Sequence, residues 1–274
     1  MQTKIAVLEE VLDGFGSVAV AYSGGADSAF LADVAHDVLR DRAVAVTAVS
    51  ESLAPYELDE ARALAKERGW RHLEIRTHEL SRPEYRRNDG NRCFQCKDEL
   101  FMVLEPLADR LAVSVVAVGT NVDDLGDYRP GQTAAAQHGV RAPLVDAGLT
   151  KTEIRAASRA RGLRTWDKPA SACLSSRIAY GVEVTPARLA RVAGAEQFLR
   201  ERNFRVLRVR DHGELARIEV GLDELPRLLE SPLREDVTRF LRGLGFAHVA
   251  IDLEGFRSGS MNVALGLPIR KVSS

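Results

Sequence analysis

The chain has 274 residues, 45% of them hydrophobic and 28% charged, with a formal net charge of -1. That is the make-up of a folded protein of one large or two modest domains, and it argues against a disordered polyelectrolyte or a globally basic nucleic-acid binder. The three cysteines, odd in number and sparse, argue against a disulfide scaffold.

Residues 2 to 14 predict an amphipathic helix, with Ile5, Leu8, Val11 and Leu12 on one face and Gly14 and Gly16 at its end. Its charges interrupt the apolar stretch, so it has no signal-peptide core, and no later run approaches the length of a membrane span. The expectation is a cytoplasmic protein with no membrane partner. Val18-Ala19-Val20-Ala21 then reads as a buried strand that runs into Ser23-Gly24-Gly25-Ala26-Asp27-Ser28. A helical pattern follows in Phe30, Leu31, Val34, Val38 and Leu39. Strand, glycine turn and helix start together make a phosphate cradle. Gly24 and Gly25 let the backbone approach an anion, and the first N–H groups of the helix point at it. Ser23 and Ser28 add hydroxyl donors, and Asp27 offers a carboxylate to a metal ion that offsets phosphate charge. A plain serine-capped turn is the alternative. The full string directly after an apolar strand favours the cradle.

Ala43 to Val49 reads as a second buried strand, and a helix over 55 to 69 opens at Pro55 and stops at Gly69. His72 to Arg76 is a third strand. This alternation predicts an α/β fold, with parallel strands joined by crossover helices and ligands beyond the carboxyl ends of the strands. Ser50 falls at that edge. Asn91 to Lys97 opens a helix that runs to about Arg110 and puts Cys93 and Cys96 on one side of its first turn. The helix dipole, Arg92 and Lys97 favour the thiolates, which suit zinc, an iron–sulfur cluster or a redox dithiol. A metal would need a third ligand from elsewhere. Val113 to Val118 is the fourth strand. It delivers Gly119, Thr120, Asp123, Asp127 and Arg129 to the same edge. Asp123 or Asp127 offers oxygen to magnesium and Arg129 a grip on phosphate, against the alternative of a solvated turn-rich loop.

A helix over 150 to 161 closes a first domain, placed at residues 1 to 168. Cys173 follows among small residues, next to Ser175, Ser176 and Arg177; a buried apolar thiol is the plain alternative. Residues 169 to 274 predict a smaller α+β domain. It has a helix from Pro186 to Arg202, strands at 205 to 210 and 216 to 220 joined by a hairpin turn at Asp211 to Glu214, helical stretches near 223 to 244 and a last strand at 247 to 252. Arg208 and Arg210 share one sheet face, either as an anion clamp or as solvated charges.

The SGGADS string resembles the pyrophosphate-binding loop of the PP-loop, or N-type, ATP pyrophosphatases, whose fold is adenine nucleotide alpha hydrolase-like. No lysine of a Walker loop follows it. With NRCFQCK, GTNVDDLGDYRPG, KPASACLSSR and the arginine pair followed by ARIEV, nearly the whole chain is similar to the LarE-type sulfur transferases. The resemblance implies ATP and Mg2+ as cofactors, adenine held by backbone near Ser50, and a pyridinium dicarboxylate mononucleotide as substrate. Each carboxylate would be adenylated and AMP replaced by sulfur, toward the nickel-pincer cofactor of lactate racemase. It also implies Cys173 as the sulfur-bearing residue, Ser176 and Glu196 near the sulfur site, Arg208 and Arg210 on substrate phosphate, and a homo-oligomer. Cys93 and Cys96 match the three-cysteine members, in which a [4Fe-4S] cluster is held by three thiolates; the alternative is sacrificial use of the Cys173 sulfur. Rival readings are a tRNA thiolase of the same superfamily, disfavoured by the near-zero net charge, and a non-enzymatic adenine-nucleotide sensor.

Overall fold

The computed structural model describes residues 1–126, 130–169, 172–257 and 261. It divides into two compact units, the first from Met1–Glu79 and Cys93–Ser171, the second from Leu80–Arg92 and Ala172–Ser274. Leu80–Arg92, inside the first domain in the sequence reading, groups with the second unit.

In chain order the elements run α1 (Gln2–Phe15), β1 (Val18–Ala21), α2 (Ala26–Leu39), β2 (Ala43–Val49), α3 (Pro55–Arg68), β3 (His72–Arg76), α4 (Pro83–Arg86), α5 (Arg92–Arg110) and β4 (Val115–Val118). The first unit continues with α6 (Pro130–Gln137), α7 (Pro143–Asp146) and α8 (Lys151–Ala160). Its four strands form a parallel sheet in the order β3-β2-β1-β4, with Val18 opposite Ala43 on one side and Val115 on the other. Alternation along the strands sorts the side chains into two faces. Val18, Val20, Ala43, Ala45 and Ala117 pack with Leu8, Phe30, Leu64 and Ile154 from α1, α2, α3 and α8. Ala19, Val44, Val46 and Val118 pack with Leu100, Phe101 and Ala134 from α5 and α6. Burial on both faces explains why β1 and β4 are apolar at every position and β2 at all but Thr47. The chain steps outward from β1 to β3 and then returns to place β4 on the other side of β1. The strand order therefore reverses between β1 and β4, the point where such sheets open a crevice at their carboxyl ends.

The fourth strand is shorter than the sequence predicts. Ala112 takes a left-handed φ of 52° and the Val113 N–H bonds back to the Ala108 carbonyl at 2.9 Å, so Val113 caps α5 instead of extending β4.

In the second unit, α9 (Pro186–Arg200), α10 (Leu225–Leu229) and α11 (Leu233–Gly243) accompany β5 (Leu207–Asp211), β6 (Leu215–Val220) and β7 (His248–Ile251). β5 pairs antiparallel with β6, and β6 parallel with β7. Leu207, Val209, Ala216, Ile218 and Val220 bury one sheet face against Leu199, Val237 and Leu241. The 223 to 244 stretch forms two helices; Pro232, which lacks an N–H, stands between them. Among the described residues no helix is long and apolar enough to cross a membrane.

Candidate functional site

The turn after β1 is built by exclusion of side chains. Gly24 has φ +74°, and a Cβ there would lie 3.2 Å from that of Ala61. Gly25 is extended and caps α2, whose first N–H groups have no intrahelical acceptor. The Ser28 hydroxyl closes the turn: it accepts from the Ser23 N–H at 3.2 Å, donates to the Gly25 carbonyl at 3.2 Å and lies 3.1 Å from the Ser23 hydroxyl. From the far side of the switch point comes Gly119, directly after β4. A Cβ on Gly119 would fall 2.8 Å from the Ser28 nitrogen, so only glycine lets these two backbones touch. Ser23, Gly24, Gly25, Asp27, Ser28 and Gly119 are thus gathered at one sheet edge, and Thr120 follows directly.

Two contributors to this edge, Lys168 and Glu79, are not among the site residues expected from the sequence, although Lys168 opens the KPASACLSSR segment. Lys168 donates from Nζ to the Gly24 carbonyl at 3.0 Å and pairs with Glu60 at 2.8 Å, while its own carbonyl accepts from Arg155 at 2.9 Å. Glu79, only 2% exposed, accepts from the hydroxyls of Ser50 and Ser52, both at 2.6 Å on Oε1. Its Oε2 is buried without a hydrogen-bond partner among the described residues. Ser50 and Glu79 follow β2 and β3, so this carboxylate lies at the same edge as the glycine turn.

Of the acidic candidates after β4, Asp123 is exposed and accepts from the Lys151 N–H at 2.6 Å, capping α8. Asp127 and Arg129 lie outside the described residues. Cys93, exposed, and Cys96, half-buried, stand on the first turn of α5, and neither is in a disulfide. Gly131 leans on the same helix, its missing Cβ 2.9 Å from the Lys97 stem. Among the described residues no group of three or more His, Cys, Asp or Glu side chains is placed to hold a metal ion.

Cys173 belongs to the second unit, is half-buried and has a free thiol. Its carbonyl accepts from the Ser176 hydroxyl at 2.7 Å, from the Ser176 N–H at 2.9 Å and from Arg177 at 2.9 Å. Arg177 also donates to the Ala172 carbonyl and holds Glu196 at 3.0 Å. Glu196 in turn accepts from the Val209 N–H at 3.2 Å. The segment before α5 secures the same loop. The Tyr85 hydroxyl lies 2.6 Å from that of Ser175, and Arg92 donates to the Ser175 carbonyl at 2.9 Å. Asn88, at φ 55°, donates to the carbonyls of Ile178, Ala179 and Val182.

Arg208 and Arg210 do share a sheet face, opposite the apolar one, but they are buried and not solvated. Arg210 pairs with Glu219 at 2.7 Å and reaches the Ser176 carbonyl at 3.3 Å; Arg208 lies over the Phe256 ring at 5.1 Å. Glu219 also accepts from Arg217 at 3.0 Å. Strand pairing places Arg208 opposite Glu219 and Arg210 opposite Arg217, so this carboxylate is shared by two guanidinium groups.

No family model matches the chain. An uncharacterized protein of Synechocystis is 42% identical, covering 97% of this chain and 99% of its own. The pyridinium-3,5-bisthiocarboxylic acid mononucleotide synthase of Lactiplantibacillus plantarum is 37% identical, covering 97% of this chain and 96% of its own. An uncharacterized protein of Methanocaldococcus jannaschii is 27% identical over 88% of this chain and 91% of its own.

Proposed function

The chain belongs to the LarE-type sulfur transferase family, and we propose that it uses ATP to adenylate the carboxylates of a pyridinium-3,5-biscarboxylate mononucleotide and replaces AMP with sulfur. The observation that carries the reading is the glycine turn at the switch point, closed by Ser28 and pressed against Gly119. A carboxylate is a poor electrophile, and transfer of AMP to it creates a leaving group. The carboxylate oxygen bonds to the α-phosphorus of ATP while the bond to the bridging oxygen breaks and pyrophosphate leaves. The turn and the first N–H groups of α2 bind the departing phosphates. Asp27, in the first turn of α2, is the carboxylate suited to Mg2+ beside them, since Asp123 already caps α8. The base then lies along the edge toward Ser50.

Sulfur attacks the carbonyl carbon of the acyl–AMP and AMP leaves. In this reading Cys173 stands at that step, with Ser176 and the Arg177–Glu196 pair fixing its backbone. The Arg208, Arg210 and Arg217 face, with Glu219 in its midst, carries the excess positive charge that suits the substrate phosphate. The chemistry of three cysteines, none of them in a disulfide, supports a [4Fe-4S] cluster on Cys93, Cys96 and Cys173. Such a cluster, when bound, supplies a sulfide at an iron that no cysteine holds. In the second reading the Cys173 sulfur itself attacks, and loss of its Cα proton with cleavage of its Cβ–S bond leaves the sulfur on the product and dehydroalanine in the chain. The product would serve the nickel cofactor of lactate racemase or a similar enzyme, made by a homo-oligomer in the cytoplasm.

The test is pyrophosphate release from ATP with and without the dicarboxylate substrate, with protein mass and iron content measured before and after turnover. Substrate-dependent release with stoichiometric iron and unchanged protein mass supports the cluster. Release with loss of one sulfur mass at Cys173 supports the sacrificial route. No substrate-dependent release rejects the adenylating function.

A further inference from the structure

We infer that Lys168 is the pyrophosphate-binding cation of the cradle, supplied from outside the glycine turn. The inference rests on the adenylating function proposed above. Phosphate loops of the Walker type carry a lysine within the loop. The turn from Ser23 to Ser28 has none, and only six of the 38 basic residues in the chain are lysines. A triphosphate brings several negative charges to the helix start, where the dipole offers roughly half a positive charge. Asp27 adds a further negative charge there. The site therefore calls for a cation.

Lys168 is bonded to the turn itself, through the Gly24 carbonyl at 3.0 Å. Arg164 is nearby in sequence, but its hydrogen bond and ion pair among the described residues go to α3, at the Glu60 carbonyl and the Glu67 carboxylate. The side chain of Lys168 is 16% exposed, whereas that of its partner Glu60 is 54% exposed. An ion pair so open to water is weak, so exchanging Glu60 for a phosphate costs little. The ammonium is compact and carries three donors, so it can keep the Gly24 carbonyl while turning another N–H to a phosphate oxygen. Its backbone is fixed from behind by Arg155, which donates to the Lys168 carbonyl at 2.9 Å.

In the reaction, the electron pair of the breaking bond passes to the bridging oxygen, which becomes a terminal oxygen of pyrophosphate. Lys168 stabilises that developing charge by donating a hydrogen bond, and no proton needs to move.

The test is calorimetric titration of the full chain with magnesium pyrophosphate and, separately, with AMP. Lys168→Met keeps the stem and removes the charge. It should weaken pyrophosphate binding at least about tenfold and leave AMP binding within about twofold, since one charge-assisted contact is worth more than 1.4 kcal/mol. Lys168→Arg should retain most of the affinity. Glu60→Gln, on an exposed side chain, should tighten pyrophosphate binding by releasing the ammonium, and it keeps the test alive if Lys168→Met does not fold. Equal loss of both ligands in Lys168→Met, or no loss of either, would overturn the assignment and leave the adenylating function standing. Wild-type protein that binds neither ligand would remove both.

Discussion

Arg177 and Glu196 form an ion pair with side-chain exposures of 0% and 1%, at 3.0 Å, and the same guanidinium donates to the carbonyl of Cys173. The oxygens it bonds on Glu196, Ala172 and Cys173 all belong to the second unit, so the pair helps to fix the Cys173 backbone from within that unit. A buried pair of this kind contributes little net stability, but removing one partner strands the other charge in the interior.

Glu196→Ala should therefore destabilise the second unit by about 3–5 kcal/mol, because the Arg177 charge is left buried without its counterion. Glu196→Gln, which keeps the shape and one acceptor, should cost less. Urea unfolding gives the energies, and the alkylation rate of Cys173 relative to Cys93 and Cys96 reports on the loop. Both variants should change the Cys173 rate selectively. A uniform change in all three thiols would mean that Glu196 does not position this loop.

The parallel sheet and the glycine turn were legible in the sequence because their causes are local. β1 and β2 are buried on both faces and therefore read as apolar runs, broken only by Thr47 in β2, and SGGADS needs its glycines in place. The membership of Leu80–Arg92 in the second unit was not legible. It rests on Asn88 reaching three carbonyls and Arg92 reaching Ser175, polar contacts that leave no periodicity. Lys168 and Glu79 were missed for a related reason: their partners Gly24 and Ser50 are distant in sequence, and the segment that Lys168 opens drew the reading to Cys173 instead. The Arg208 and Arg210 pair was visible as a pattern, but its burial, which overturns the solvated alternative, was not. The antiparallel register sets Glu219 opposite Arg208, and no spacing within β5 announces that.

His138 lies just past α6 between two carboxylates of α5. Nε2 is 2.9 Å from Asp98 and Nδ1 is 2.7 Å from Glu105, and these hydrogen bonds, that of Asp98 first, raise its pKa above the usual histidine value. A pKa raised by folding means that the folded state binds the proton more tightly. The stabilisation is fully present below about pH 6.5, the unfolded value, and is lost as pH rises through the higher folded value. His138→Gln should lower stability on the acidic side and leave the alkaline side nearly unchanged. Urea midpoints at several pH values check this, and a difference that persists unchanged into alkali would contradict the sign.

Glu79 has two serine hydroxyls on one oxygen and no hydrogen-bond partner for the other among the described residues. Burying a carboxylate in this way is costly, so the hydroxyl bonds must fix the turn after β2 firmly. Glu79→Ala removes the shared acceptor of the buried Ser52 hydroxyl and the half-buried Ser50 hydroxyl, which keep each other at 2.8 Å, and should cost about 1–3 kcal/mol. With the base placed along this edge as proposed, it should also weaken ATP more than pyrophosphate. Parallel titrations with the two ligands decide this; equal weakening would place Glu79 in the general stability of the sheet.

Gly119 gives the sharpest test of the cradle geometry. An added Cβ would sit 2.8 Å from the Ser28 nitrogen and 2.9 Å from its Cα, and the obstructing atoms are backbone, which cannot rotate away as a side chain would. Gly119→Ala must therefore push β4 and the start of α2 apart, at an overpacking cost of about 1–3 kcal/mol. The N–H groups of the helix start would shift with it, so ATP affinity should fall at least about tenfold, equivalent to 1.4 kcal/mol. Gly126→Ala, on a glycine of the same loop with nothing among the described residues within 4 Å of its missing Cβ, is the control and should leave both quantities nearly unchanged. Thermal unfolding and nucleotide titration of the two variants side by side give the answer. Wild-type affinity in Gly119→Ala would mean that the contact between β4 and α2 does not shape the phosphate site.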